Sequence, residues 1–260
     1  MEHAIRPSRS PLRCDRQMEA LRFKSDDFRP YLYKTNDYVE TWQEINGGIP
    51  EADFTRTIRE DPAKRGLLYC ATENGVYVST NGGESWESLQ RNLPIVQVHD
   101  LVVKDNDLVA GTHGRSMWIL DDLTPLQQSV GAASIGNEPR LVRPRSAYRL
   151  LHQEPANKSV EGMNYMGRIF GLPAAYHDRK TADGNVSRTM LDAGENPPDG
   201  VGVTFYLPDE IPEVVSLTFL DGEGREIKTF VTSAEDEALR VSPGVNRFLW
   251  DMQYPGAHEL

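Results

Sequence analysis

One internal repeat constrains the fold more than any other feature of the chain. Residues 31–50 (YLYKTNDYVETWQEINGGIP) align without a gap on residues 75–94 (GVYVSTNGGESWESLQRNLP). Tyr33 falls on Tyr77, Thr35 on Ser79, Asp37 on Asn81, Glu40 on Glu84, Thr41 on Ser85, Trp42 on Trp86 and Pro50 on Pro94. The offset of 44 residues is the size of one four-stranded propeller blade, about 40–50 residues.

The stretch between the copies supplies the rest of one blade. Residues 54–58 alternate apolar and polar, Asp61-Pro62 opens a turn that Gly66 closes, residues 67–72 are apolar and β-prone, and Asn74-Gly75 is a hairpin signal before residues 76–79. A third, incomplete copy follows, with strands expected at 99–103, 108–112 and 117–120 and turns at Asp105-Asn106-Asp107 and His113-Gly114-Arg115. It reaches Asp121-Asp122 without a Trp motif.

The repeated unit resembles the Asp-box, or BNR repeat, with the pattern S/T-x-D-x-G-x-T/S-W. The first copy keeps Thr35, Asp37, Thr41 and Trp42 but has Val39 at the Gly position. The second keeps Ser79, Gly83, Ser85 and Trp86 but has Asn81 at the Asp position. Physically the unit is a hairpin: the Asp or Asn side chain accepts backbone N–H bonds, the Gly takes a positive φ, and the Trp packs beneath the turn. These residues therefore read as structural. The resemblance implies a fold shared by sialidases, other sugar-cleaving propellers and sortilin-type receptors, and such a fold does not choose a function.

The second half is less patterned. Residues 126–198 read as linker and long loops, and residues 1–20, with the basic stretch from Arg6 to Arg16, as a disordered or mispredicted arm. From Gly202 a period-2 alternation returns: Val203, Phe205 and Leu207 on one face, then Val215, Leu217 and Phe219, a hairpin at Asp221-Gly222-Glu223-Gly224, a return over 227–231, and a last strand over 246–250. The runs from Leu220 to Ile227 and from Gly244 to Asp251 resemble the immunoglobulin-like domain of the flagellar hook-capping protein. In that family a further turn and strand follow the Trp-Asp.

The expected architecture is all-β: a partial β-propeller of about two blades over residues 21–125, then a truncated immunoglobulin-like β-sandwich over 199–260. The order of parts, including Gly111-Thr112-His113-Gly114-Arg115 and the run to Asp122, resembles bacterial sortilin-like or glycosyl-hydrolase-like propellers, which implies a fragment of a periplasmic or secreted parent. No signal peptide is expected in the chain itself, whose N-terminus lacks the required apolar core.

Composition bounds the partners. A formal net charge of −11 disfavours nucleic acid and anionic lipid, and no apolar run reaches the length of about 20 residues needed to insert in a membrane. The hydrophobic fraction of 38% with 21 Gly and 17 Pro fits a loop-rich β-protein. Cys14 lies in the basic arm and Cys70 in an apolar run, so no disulfide between them is expected. No metal motif or cofactor signature is present, and the sequons at Asn157 and Asn185 carry little weight.

Sugar hydrolysis requires a pair of carboxylates, or a Tyr nucleophile assisted by one, and no such set is identifiable. Glu73, Asp100, Asp121 and Asp122 fall at strand ends or turns, where acids cap and solvate. His113 and Arg115 are the candidate ligand contacts, since their turn ends an inner strand. The competing reading pairs Arg115 with Asp121 or Asp122. The expectation is a scaffold that binds a protein or glycan. The alternative is a sialidase- or xyloglucanase-like glycoside hydrolase whose acids lie outside this chain.

Overall fold

The computed structural model describes residues 16–19, 26–37, 40–130, 138–148, 161–166, 174–180, 186–191, 194, 197, 199–232 and 239–254. Val39, Cys14, Asn157 and Asn185 lie outside these residues, as does most of the arm. The chain is all-β: strands that are consecutive in the chain and hydrogen-bonded to each other pair antiparallel, and one short helix occurs among the described residues. It divides into two compact units, residues 1–145 with 202–248, and residues 146–201 with 249–260.

In the first unit, β1 (Arg16–Glu19), β2 (Leu32–Thr35) and β3 (Gln43–Glu44) form a sheet in that order. Strand β1 lies in the segment expected to be a disordered arm. Its pairing of Arg16 with Thr35 and Glu19 with Leu32 corrects that expectation for these four residues. A four-stranded meander follows: β4 (Thr55–Glu60), β5 (Leu68–Thr72), β6 (Val76–Ser79) and β7 (Glu87–Ser88). Then come β8 (Val98–Lys104), β9 (Asp107–Thr112) and β10 (Met117–Leu120), a three-stranded meander that leads into α1 (Thr124–Ser129).

The repeat holds at the level of hydrogen-bonded register. Tyr33 pairs with Glu44 and Lys34 with Gln43 across the β2–β3 hairpin, and the residues 44 positions on, Tyr77 with Ser88 and Val78 with Glu87, pair across β6–β7. Strand β5 explains why residues 67–71 read as one apolar run. Leu67, Tyr69 and Ala71 enter a core shared with β6, β8 and β9, while Leu68 and Cys70 enter a second core with Leu32, Ile45, Ile49, Ile58 and Trp86. A strand buried on both faces has no reason to alternate, and each fully buried Leu or Ile contributes about 1.5–3 kcal/mol. Cys70 is a buried thiol.

Two buried carboxylates brace these sheets. Asp53, 2% exposed, accepts bonds from Thr72 Oγ1 at 3.0 Å, the Asn74 backbone at 3.1 Å and Tyr77 Oη at 3.1 Å. Burial, then the charge of Asp53, pushes the Tyr77 phenol up to about 12. Asp61 accepts from the Ala63 and Lys64 backbone, from Tyr69 Oη and from Gln127 Nε2.

The remaining strands of this unit are β11 (Arg140–Leu141) and, beyond the second unit, three longer ones and a hairpin partner. The second unit contains a sheet of β12 (Gly162–Met166), β13 (Ala174–Lys180) and β14 (Val186–Met190). Both β11 and this sheet fall in the stretch read as linker and loops. Long Gly-, Pro- and Asn-bearing connections around short strands hide such a sheet from pattern reading. Within it Asp178, 1% exposed, takes two bonds from Arg188 at 2.8 and 2.9 Å, and the guanidinium lies 4.0 Å from the Tyr176 ring centroid.

Returning to the first unit, β15 (Val201–Leu207) lies between β11 and β18 (Gly244–Trp250), while β16 (Ser216–Leu220) and β17 (Glu226–Val231) form a separate hairpin. Val203, Phe205 and Leu207 are buried, as their alternation requires. Phe230 of the hairpin meets Phe248 of β18 with ring centroids 4.6 Å apart, joining the two sheets. Asp221 shapes the hairpin turn by accepting from the Glu223 and Arg225 backbone at 2.9 Å each. Asn246 does the same for Pro243-Gly244, accepting from Ser242 N at 2.8 Å and donating to Gly244 O at 3.0 Å.

Candidate functional site

The residues of the repeated unit form two matching hydrogen-bonded rings. In the first, Asp37 Oδ1 accepts from Thr35 Oγ1 at 2.7 Å and from Thr41 N at 2.9 Å, and Oδ2 accepts from Thr41 Oγ1. In the second, Asn81 Oδ1 accepts from Ser79 Oγ at 2.8 Å and from Ser85 N at 3.0 Å, and Nδ2 donates to Ser85 Oγ at 2.8 Å. Hydrogen bonds from Thr41 and Thr35 hold the Asp37 carboxyl down at about 2. Gly83 has φ +95°, and a side chain there would collide with Ile45. These residues shape turns. The two Trp residues differ in burial. Trp86 is 3% exposed against Ile45 and Ile49, whereas Trp42 is half-buried and outside both core clusters.

A second pair of matched features lies at one end of the β4–β5 and β8–β9 strands. Thr55 pairs with Thr72 and Thr57 with Ala71, so Arg56 is bulged out of the ladder. Val98 pairs with Thr112 and Asp100 with Gly111, so His99 is bulged in the same way. A β-bulge re-aims its side chain. Directly after Thr72 comes Glu73, and directly after Thr112 comes His113. Each sheet thus offers one bulged residue and one strand-end residue on the same rim.

Gln97 joins the two pairs. Its Nε2 donates to Glu73 Oε1, whose other oxygen takes Nε of Arg56 at 2.9 Å and Nη2 as well. Its Oε1 lies 3.0 Å from His113 Nδ1 and 3.4 Å from His99 Nε2, and its carbonyl accepts the His113 backbone N–H at 2.9 Å. The imidazoles of His99 and His113 are 5.1 Å apart, centroid to centroid, and both residues are exposed. Burial first, then the charge of Arg56 and the neighbouring His113 ring, lower the His99 pKa from its usual value, with Glu73 opposing. The result is a solvent-facing rim of two imidazoles backed by the Arg56–Glu73 ion pair. Among the described residues no hydrogen bond engages His99 Nδ1 or His113 Nε2.

Of the residues singled out in the sequence, His113 enters this rim and Arg115 does not. Arg115 is exposed, and among the described residues its guanidinium forms no ion pair, which overturns the pairing with Asp121 or Asp122. The four weighed acids are placed as follows. Glu73 pairs with Arg56, and Asp100 pairs with Arg59 across β4 and β8. Asp122 accepts the Thr124 backbone N–H at 3.2 Å ahead of α1, and the Asp121 carboxyl is raised by burial and by Asp107. Arg56 and Gln97 escaped sequence reading because neither lies in a motif. A bulge is visible only once strand register is known.

Among the described residues no cluster of His, Cys, Asp and Glu fits a metal ion, and no helix is long and apolar enough to cross a membrane. No family model and no curated protein matches the chain. Among solved structures, the GH74 enzyme of Niastella koreensis aligns over 73% of this chain and 32% of its own at 14% identity, with a TM-score of 0.34. The chain therefore spans about a third of the length of that structure.

Proposed function

We propose that this chain is part of an Asp-box β-propeller scaffold of an extracytoplasmic protein, related to the sortilin-like and glycosyl-hydrolase-like propellers, followed by an immunoglobulin-like module, and that it binds a protein or glycan ligand. The rim of Gln97, His99 and His113 is the ligand-facing surface, with Arg115 on the adjoining turn. The observation that carries the reading is the matched pair of bulges, Arg56 and His99, which take polar side chains out of the ladders of two neighbouring sheets and onto one rim. Polar hydrogen-bonding groups held on strand ends suit recognition of hydroxyl-rich or peptide ligands. The carboxylate of this rim, Glu73, is engaged by Arg56 and Gln97, which favours recognition over proton transfer.

The test is a glycan array read with the wild-type chain and with His113→Ala and Gln97→Ala variants. Binding to a defined glycan set that both variants lose by about tenfold, the loss of a charged or well-placed hydrogen bond, supports the reading. Release of reducing sugar from a bound glycan would replace it with glycoside hydrolysis.

A further inference from the structure

Three Asn-Gly pairs occur in the chain: Asn46-Gly47, Asn74-Gly75 and Asn81-Gly82. At such a pair the glycine backbone nitrogen attacks the asparagine side-chain carbonyl carbon with least hindrance, because glycine has no Cβ. A bond forms from that nitrogen to Cγ, the Cγ–Nδ2 bond breaks, and ammonia leaves with the amide proton. Water then opens the cyclic imide to aspartate or to its backbone-rerouted isomer.

The partners of each asparagine decide what an acid there would meet. Asn46 Nδ2 donates to Pro30 O at 2.8 Å and to the Glu44 carboxylate, so an acid at 46 would face a carbonyl and a like charge. Asn74 Nδ2 donates to Asp53 Oδ1 at 3.1 Å, and Asp53 is 2% exposed, so an acid at 74 would face a buried carboxylate. Among the described residues Asn81 Nδ2 donates only to Ser85 Oγ, a hydroxyl that can rotate to donate instead. The outcome of that rotation is already present 44 residues earlier, where Asp37 takes the Thr41 hydroxyl and backbone N–H and the Thr35 hydroxyl. Asn81 is also exposed to water. The Gly82 N–H is bonded to Gly66 O at 2.8 Å, so attack waits for that contact to open.

We infer that Asn81 is a deamidation site whose acid product the fold accepts, so that ageing turns the second hairpin into the acidic form of the first. This stands on hydrogen bonding alone and is independent of any ligand. The experiment has two arms. The folded chain is incubated at mildly alkaline pH and its soluble fraction is peptide-mapped for amide-to-acid conversion. In parallel, Asn81→Asp, Asn46→Asp and Asn74→Asp are melted. The expected result is conversion at Asn81 in soluble protein, with a Tm for Asn81→Asp within about 2 °C of wild type and a fall of about 4 °C or more for the other two. The inference is overturned by Asn81 remaining an amide while Asn46 or Asn74 converts in soluble protein, by no conversion at all, or by Asn81→Asp melting as low as the other variants or failing to fold.

Discussion

The indole N–H of Trp86 donates to the backbone carbonyl of Ile45 at 2.6 Å, and the Trp86 backbone N–H donates to Gly47 at 2.8 Å. The tryptophan of the second motif is thus bound into the tail of the first. Its burial belongs to the junction of two sheets as much as to its own turn.

Replacing Trp86 by Ala is expected to cost about 3–5 kcal/mol, since a large buried aromatic leaves a cavity that cannot fully collapse. Trp42→Ala, at a half-buried site outside both cores, should cost about 1 kcal/mol. Chemical denaturation of the two variants measures the difference. Equal losses would mean that the junction does not depend on Trp86.

Three glycines separate strain from crowding. Gly114 has φ +80° with open space around it, Gly83 has φ +95° with Ile45 Cδ1 2.7 Å from a would-be Cβ, and Gly48 has φ +100° with Trp86 O at 2.3 Å. Alanine at 114 should cost about 1–2 kcal/mol from the left-handed backbone alone. At 83 and 48 a clash adds about 1–3 kcal/mol, more at 48, where the obstacle is backbone. The expected order of thermal stability is Gly114→Ala, then Gly83→Ala, then Gly48→Ala.

Stability should fall in acid in two stages. Hydrogen bonds hold the Asp37 carboxyl at about 2, below its unfolded value of about 3.9, so the unfolded state takes up the proton first. The stabilisation is complete above about pH 5 and is lost as pH falls toward 2. The His99 imidazole is also lowered, by burial and then by Arg56 and His113. Its contribution is therefore present above the unfolded value of about 6.5 and declines as pH falls below it. Melting curves against pH should be flatter below pH 5 for Asp37→Asn and flatter between about 7 and 5 for His99→Gln.

In the second unit, Arg188→Gln removes both guanidinium bonds to the buried Asp178 and the stacking on Tyr176. An expected loss of about 1–3 kcal/mol should appear as faster amide exchange in β13 and β14. Unchanged exchange there would mean that Asp178 is satisfied without Arg188.

The hairpins were legible in sequence because their chemistry is local. Thr35, Asp37 and Thr41 bond within seven residues of chain, and β6 and β10 begin and end where turn residues place them. The alternation of Val203, Phe205 and Leu207 likewise announced one buried face. The sheet of β12 to β14 was hidden, because its strands are short, polar and separated by long connections. The rim was half visible. His113 stood on a turn with a chemical handle, but its neighbours Arg56, Glu73 and Gln97 converge only through pairings between residues 16 to 24 positions apart, or through two bulges that no residue pattern encodes.

Gln127 gives the exit from the last meander its own character. The side chain donates to Asp61 Oδ2 at 3.1 Å and to Asn106 Oδ1 at 2.6 Å, while α1, on which it rides, has no buried residue of its own. The helix is fastened by an amide that two loops share, with buried Leu123 and half-buried Leu126 and Val130 packed on the core as its apolar anchors. Such a fastening behaves as a latch: water can replace its bonds one by one, and only half-buried side chains leave the core with the helix, so it opens at less cost than the sheets beneath. A protease meeting the folded protein would then find its first foothold at residues 124–130, and cutting there would leave the paired strands on the upstream side standing.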